Sequence, residues 1–246
     1  MGEVEMIWTL YVTIWVGFAT LVAGILVIVL SFFVRSGNSL HKIARLWGKS
    51  ILFVSRVKMS VKGLSNIDPS APYIYMPNHQ SNFDIPVLLG HLTVQFRWLA
   101  KVELFKIPIF GRAMRKAGYI SIDRNNRESA IKSLNVAAHQ IKSGVSVLIF
   151  PEGTRSRDGA IRPFKKGGFV MAIESGVPIV PVVITGTRSL MTKGKFRVNA
   201  GHVSMVIHKP IDTSAYTRET KEALMESVRR VICDSIEIIE MDERAC

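Results

Sequence analysis

The chain opens on an unbroken apolar run. Residues 6–34 contain no charged residue and are rich in Ile, Val, Leu, Phe and Trp. As a helix the run is roughly 43 Å long, more than a ~30 Å hydrocarbon core, so it spans with tilt, bends, or lies partly in the interface. Gly17 and Gly24 are candidate bending points. The pattern then changes. Over 40–57, Leu40, Ile43, Ala44, Trp47, Ile51 and Val54 share one helical side, and His41, Lys42, Arg45, Lys49 and Arg56 the other. Such a helix either packs on a domain or lies on an anionic membrane. The apolar run before it favours the membrane.

Beyond residue 57, strand patterns alternate with helical ones. Residues 58–62 alternate polar and apolar and read as an edge strand closed by Gly63. Further strands are expected at 72–76, 96–100, 119–122, 145–150, 178–185 and 203–208. Helices are expected from Ile85, over 101–115 with an interruption at Pro108, over 127–142, over 165–175, and from Thr217 to about Ile239. Gly144 and Gly176 close two of them. The predicted fold is α/β, with a mixed, largely parallel sheet flanked by helices, antiparallel strands at its edges, and an N-terminal membrane-associated helical segment. The expected division is 1–57 for the membrane-anchoring helices (apolar 6–34, amphipathic 40–57) and 58–246 for a single domain.

Charge narrows the partners. The 246 residues carry 32 Lys and Arg against 19 Asp and Glu, a formal charge of +13. Such an excess fits nucleic acid, a membrane surface or phosphorylated small molecules. No helix-turn-helix, zinc-finger or RNA-binding pattern is present, so no nucleic-acid partner is expected. The two cysteines, Cys233 and Cys246, form no C-x-x-C pair, which suits a reducing compartment without disulfide or structural zinc. Glu3 and Glu5 before the apolar run, its length, and Ser36-Gly37-Asn38 after it argue against a cleaved signal peptide. Arg35, Lys42, Arg45 and Lys49 follow the run and place the remainder on the cytoplasmic side.

The candidate chemistry starts at Asn78-His79-Gln80-Ser81-Asn82-Phe83-Asp84, between the strand at 72–76 and the helix from Ile85. A histidine at a strand tip and an aspartate at a helix mouth supply a base and its orienter. Taken alone, the pair is more simply a loop histidine and a helix cap. Three further stretches change that reading: Gly118-Tyr119-Ile120-Ser121-Ile122-Asp123-Arg124, Phe150-Pro151-Glu152-Gly153-Thr154-Arg155-Ser156, and Val177-Pro178-Ile179-Val180-Pro181-Val182. In this order, at predicted strand ends, they resemble the four blocks of the glycerophospholipid acyltransferase family, most closely its bacterial 1-acyl-sn-glycerol-3-phosphate acyltransferases. Lys101-Val102-Glu103-Leu104, with Pro108 and Gly111, resembles the stretch between the first two blocks. The likeness covers about residues 40–210.

The resemblance implies an acyl thioester donor, on coenzyme A or acyl carrier protein, and a lysophosphatidate acceptor. His79 would take the acceptor's hydroxyl proton and Asp84 would hold the imidazole. Neither cysteine lies near a block and no G-x-S-x-G elbow is present, so direct transfer is expected. Arg124 and Arg155 are the candidate phosphate forks, since Arg contacts phosphate bidentately. Read as residues, each could equally be a surface charge. Glu152 either meets an acceptor hydroxyl, orients Arg155, or is a turn residue. Gly153 and Thr154 offer backbone N–H groups to phosphate or oxyanion. Lys101 faces phosphate or thioester oxygen, or is a surface lysine. Asn78 steadies the loop or donates to the oxyanion. Lys165 and Lys166 are assigned to headgroups or donor phosphates. No metal site, no cofactor beyond the co-substrate and no obligate protein partner are expected. The implied setting is the inner membrane, with the catalytic domain on its cytoplasmic face. The alternatives are the same chemistry on glycerol 3-phosphate, another lysophospholipid or a lyso-aminolipid, or a non-catalytic module that binds anionic lipid.

Overall fold

The computed structural model describes residues 2–34, 36–194 and 196–245, without the side chains of Glu240 and 242–245. Arg35 and Cys246, used above for topology and cysteine chemistry, lie outside the described residues. Seven strands form one sheet: β1 (Val57–Lys62), β2 (Ile74–Pro77), β3 (Phe96–Lys101), β4 (Ile120–Ile122), β5 (Ser146–Leu148), β6 (Ile179–Thr185) and β7 (Gly201–Ile207). Their order is β1-β7-β6-β2-β5-β3-β4. Every ladder is parallel except β6–β7. β1 and β7, at one end of the sheet, therefore run against the others. The seven expected strands all form.

Alternation of side chains splits the core into two layers. Tyr75, Phe96, Trp98, Leu148, Val182 and Met205 face one side, and there they pack with residues of α1 (Glu3–Leu30), α2 (Gly37–Val54), α3 (Asp84–His91) and α5 (Pro108–Lys116). Ile74, Met76, Leu99, Val147 and Val183 face the other, under α6 (Arg127–Lys142), α7 (Lys166–Ser175) and α9 (Lys221–Ala245). The remaining helices are short: α4 (Val102–Phe105) and α8 (Thr187–Leu190). The expected helix over 101–115 is two, α4 and α5. Pro108 opens α5, and a Cβ on Gly111 would lie 2.2 Å from the Phe105 carbonyl, which permits the tight corner.

The N-terminal helices depart from expectation. α2 does not turn its apolar face to a membrane. Leu40, Ile43, Ile51 and Leu52 are buried against the protein, and a Cβ on Gly48 would meet the Pro86 carbonyl at 2.8 Å, so α2 lies tightly on α3. Two residues placed on its polar side are drawn inward as well. His41 is fully buried with Nδ1 3.0 Å from the Tyr119 hydroxyl, and burial pushes its pKa down to about 3, with Arg97 and Arg45 adding to it. Arg45 donates to the Val94 carbonyl at 3.1 Å. The physical reason is competition: an amphipathic stripe buries itself against whichever apolar surface the fold supplies first.

α1 is one uninterrupted helix along the domain's flank. Glu5 pairs with Arg197 at 2.6 Å, Thr9 accepts from the Val198 N–H at 3.2 Å, and Trp47 Nε1 donates to Thr20 at 3.0 Å. Gly24 is a contact point rather than a bend, because a Cβ there would sit 2.7 Å from Ile109. The outer face stays bare: Ile7, Leu10, Ile14, Phe18, Ile25 and Val29 are exposed, as are Phe32, Phe33, Leu46 and Phe53 nearby in the chain. An apolar surface this extensive marks a lipid-facing region. α1 is also long and apolar enough to cross a membrane.

Candidate active site

The loops after β2, β3, β4, β5 and β6 open at the carboxyl end of the parallel strands, where α/β sheets bind ligands. The loop after β2 carries the central pair. His79 Nδ1 lies 2.7 Å from Asp84 Oδ2. Asp84 is fully buried at the first turn of α3, and the same oxygen accepts the N–H groups of Gln80 at 2.8 Å and Ser81 at 2.9 Å. The aspartate thus grips the histidine loop, which a simple helix cap would not do. With its acceptor oxygen facing Nδ1, the proton belongs on Nδ1 and the lone pair on Nε2, the nitrogen left for a substrate.

The ring is held by stacking and its backbone by hydrogen bonds. The His79 imidazole lies 3.7 Å from the Phe150 ring at 12°, and Phe150 in turn packs 5.5 Å from Trp98. The His79 N–H donates to Glu152 Oε1 at 2.8 Å, and its carbonyl accepts from the Ser156 N–H at 2.8 Å. The loop after β5 therefore clamps the histidine at both ends of its peptide.

Two expected substrate contacts are corrected here. Glu152 is buried, and its second oxygen accepts the Arg162 N–H at 2.9 Å. Both oxygens serve the protein's own backbone, so Glu152 is a clamp and not a substrate ligand. Burial raises its pKa to about 7, against the lowering effect of the two N–H donors. Asn78 is also fully buried. Its amide donates to the Ile184 carbonyl at 2.9 Å and accepts the Ile184 N–H at 2.7 Å, which laces β2 to β6 and fixes the side chain on the sheet with no exposed surface. Asn78 thus steadies the loop, and Glu152 takes a role not foreseen, a clamp on the histidine backbone.

The cationic candidates are held in different ways. Arg124, after β4, donates to the Gly153 carbonyl and so joins the second block to the third. Gly153 itself turns at φ +69°, and its N–H donates to Phe150 at 3.1 Å, which removes it as an oxyanion donor. Thr154 is exposed, its hydroxyl accepting from Lys193 at 3.2 Å. The Arg155 side chain is half-buried, with no hydrogen bond or ion pair among the described residues. Lys101 ends β3 and pairs with Glu103 at 2.9 Å, half exposed, away from the pair's hydrogen bonds. Lys166 is engaged by Glu222 at 2.9 Å. Among the described residues no group of three His, Cys, Asp or Glu side chains converges as metal ligands.

Residues outside the four blocks complete the site. The Thr187 hydroxyl donates to Asp84 Oδ1 at 2.5 Å, and Ser81 Oγ donates to the Met191 carbonyl at 2.7 Å. The only signal for Thr187 was its place two residues past the strand at 178–185. An apolar cavity also begins one ring away from His79. Its walls include Gly24, Leu40, Trp47, Ile85, Trp98 and Met114, so α1, α2, α3, β3 and α5 all contribute. With Leu104 of α4 also in the lining, no local periodicity could announce a cavity assembled from six elements.

The chain is similar in sequence and fold to known proteins. The sequence profile of the family described as acyltransferase matches residues 58–185. A chloroplastic 1-acyl-sn-glycerol-3-phosphate acyltransferase of Brassica napus is 36% identical over 89% of this chain and 66% of its own. One of Arabidopsis thaliana is 38% identical over 80% of this chain and 54% of its own. The chain thus spans about half to two thirds of the length of these curated relatives. The crystal structure of PlsC, the 1-acyl-sn-glycerophosphate acyltransferase of Thermotoga maritima, superposes with a TM-score of 0.83 at 31% identity over 96% of each chain. Matching over more than half its length, with the paired histidine and aspartate in place, the chain belongs to the acyltransferase family.

Proposed function

We propose that the chain transfers a fatty acyl group from an acyl thioester to the sn-2 hydroxyl of 1-acyl-glycerol 3-phosphate, giving phosphatidate for phospholipid synthesis. The observation that carries this reading is the His79–Asp84 pair beside Arg124 and Arg155. Nε2 of His79 removes the hydroxyl proton while the oxygen attacks the thioester carbonyl. Asp84 stabilises the imidazolium through Nδ1. The tetrahedral intermediate collapses, the C–S bond breaks, and the thiolate leaves with the proton from Nε2. Protons and electrons balance without an enzyme nucleophile, cofactor or metal. The general base supplies about 10² to 10⁴ of the rate, and positioning of two bound reactants much of the rest.

The donor is acyl coenzyme A or acyl carrier protein, and the apolar cavity lined in part by Trp98 is the candidate site for its chain. Arg124 and Arg155 hold the acceptor's phosphate. The bare face of α1 embeds in one leaflet of the inner membrane from the cytoplasmic side, a reading supported by the contacts that fasten the helix along the domain from Glu5 to Gly24. A purified preparation in detergent, given palmitoyl coenzyme A or palmitoyl carrier protein against a set of acceptors, tests the reading. Phosphatidate from lysophosphatidate supports it. Preferential turnover of glycerol 3-phosphate, a lysophospholipid with another headgroup or a lyso-aminolipid would reassign the acceptor. An undiminished rate in His79→Ala would remove the base.

A further inference from the structure

The connection between β6 and β7 carries none of the four sequence blocks, yet it touches both halves of the site. Gly186 starts it at φ +87°, where a Cβ would lie 2.2 Å from the His202 carbonyl, so only glycine turns the chain there. Thr187 follows, fully buried. Asp84 Oδ2 is occupied by His79, Gln80 and Ser81, whereas Oδ1 receives only the Thr187 hydroxyl among the described residues. The Ser81–Met191 bond ties the two loops a second time.

Six residues after Thr187, Lys193 reaches the opposite half. Its ammonium donates to the Arg155 carbonyl at 2.8 Å and to the Thr154 hydroxyl at 3.2 Å. An ammonium has three donors, so one remains. Desolvation, and after it Arg157, Arg155 and Arg162, lowers the pKa of Lys193 from the usual lysine value. The carboxylate beside this group is Asp158, which already takes the Ser156 hydroxyl at 2.8 Å, the Ala160 N–H at 3.2 Å and Arg162 at 3.4 Å. Lys193 therefore docks on residues 154 and 155 of the same loop whose Gly153 carbonyl receives Arg124, and its remaining donor is available to an anion there.

We propose that the β6–β7 connection is a third wall of the active site, in which Thr187 positions the Asp84–His79 pair through Asp84 Oδ1 and Lys193 completes the acceptor-phosphate subsite with Arg124 and Arg155. The Lys193 half rests on the lysophosphatidate reading above. Thr187 is a positioning residue: without its hydroxyl, a buried carboxylate oxygen loses its donor and Asp84 is anchored through Oδ2 alone, which loosens its alignment with His79. Lys193 is a binding residue: its free donor and charge add to the two arginines. The one short segment therefore tells the base and the phosphate site apart in kinetics while joining them in structure.

Steady-state kinetics on the full chain in detergent, with palmitoyl coenzyme A and lysophosphatidate, test both ends. Thr187→Val is expected to lower kcat about tenfold or more with the acceptor KM unchanged, and Thr187→Ser to restore it. Should Thr187→Val not fold, Thr187→Ala against Thr187→Ser carries the same comparison. Lys193→Met is expected to raise the acceptor KM about tenfold with kcat unchanged, and to narrow the preference for lysophosphatidate over a monoacylglycerol that lacks phosphate. A kcat loss that Thr187→Ser shares, or an acceptor KM that Lys193→Met leaves unmoved, overturns the corresponding half. If the unsubstituted chain acylates some acceptor but not lysophosphatidate, the acceptor assignment falls and the Lys193 half with it. The Thr187 half is then read on the acceptor that is used.

Discussion

The two halves of the site are built to opposite rules. Around His79 and Asp84 nearly every polar atom is held: three donors meet one carboxylate oxygen, the ring is stacked on Phe150, and the histidine peptide is clamped at both ends. A few residues away the cations are loosely kept. Arg124 is exposed with one backbone acceptor, and Arg155 is half-buried with none among the described residues. The contrast matches what the proposed function asks of each half. A base works only when it is oriented before the substrate arrives, since its rate advantage depends on geometry. Phosphate-binding side chains must instead release solvent and close on an anion, so their partners are best supplied by the ligand.

The largest expected break in this contrast is on the ordered side. His79→Ala removes the base and should lower kcat by about 10² to 10⁴, with acceptor binding intact. Titration of catalytically silent enzyme with lysophosphatidate checks that binding survives. Arg155→Ala should act on the other side, raising the acceptor KM by about ten- to a hundredfold, the equivalent of one or two charge-assisted bonds, with a smaller change in kcat. If instead Arg155→Ala lowers kcat and leaves KM alone, the two halves are not divided in this way.

The acyl cavity gives an intermediate effect. Ala113, Ala117 and Leu40 wall the part that packs against Val27 of α1. Ala113→Leu fills that volume, so the preferred donor should shorten by about two to four carbons, at an overpacking cost of roughly 1–3 kcal/mol. Donor competition between C12 and C18 thioesters measures it, and an unchanged preference would place the chain elsewhere.

Glu152 offers the smallest and most diagnostic effect. Its folded pKa is raised from the ordinary 4.5 to about 7 by burial. The folded chain therefore holds a proton that the unfolded chain has lost. This contribution to stability is full below pH 4.5 and disappears as pH rises through about 7, amounting to at most about 3 kcal/mol. Glu152→Gln should flatten the slope of the thermal midpoint between those pH values, while His79 orientation weakens because one backbone donor loses its acceptor. A slope identical to the unsubstituted chain would assign the titration to another group.

Much of this was readable in the sequence, for a definable reason. Strands and the central pair are local: an alternating run such as 58–62, a continuous apolar run such as 178–185 and the five-residue spacing of His79 and Asp84 need no knowledge of the rest of the chain. Glu152, Asn78 and α2 are different. Whether a buried polar side chain faces substrate or backbone is settled by which N–H groups the fold leaves open, and those of Arg162 and Ile184 lie ten and 106 residues away. The apolar stripe of α2 specified burial but not the surface that would receive it. Only the assembled sheet, with α3 lying across it, decided between protein and lipid.

Because α1 supplies Thr20, Gly24 and Val27 to the lining of the acyl cavity, attachment and selectivity share one set of side chains. Shaving off the leader would not liberate a water-soluble catalyst; it would open the hydrocarbon pocket to the solvent. If the proposed transfer holds, a graft of another species' leader, chosen only to suit a thicker bilayer, would in the same stroke redraw which fatty acids are selected.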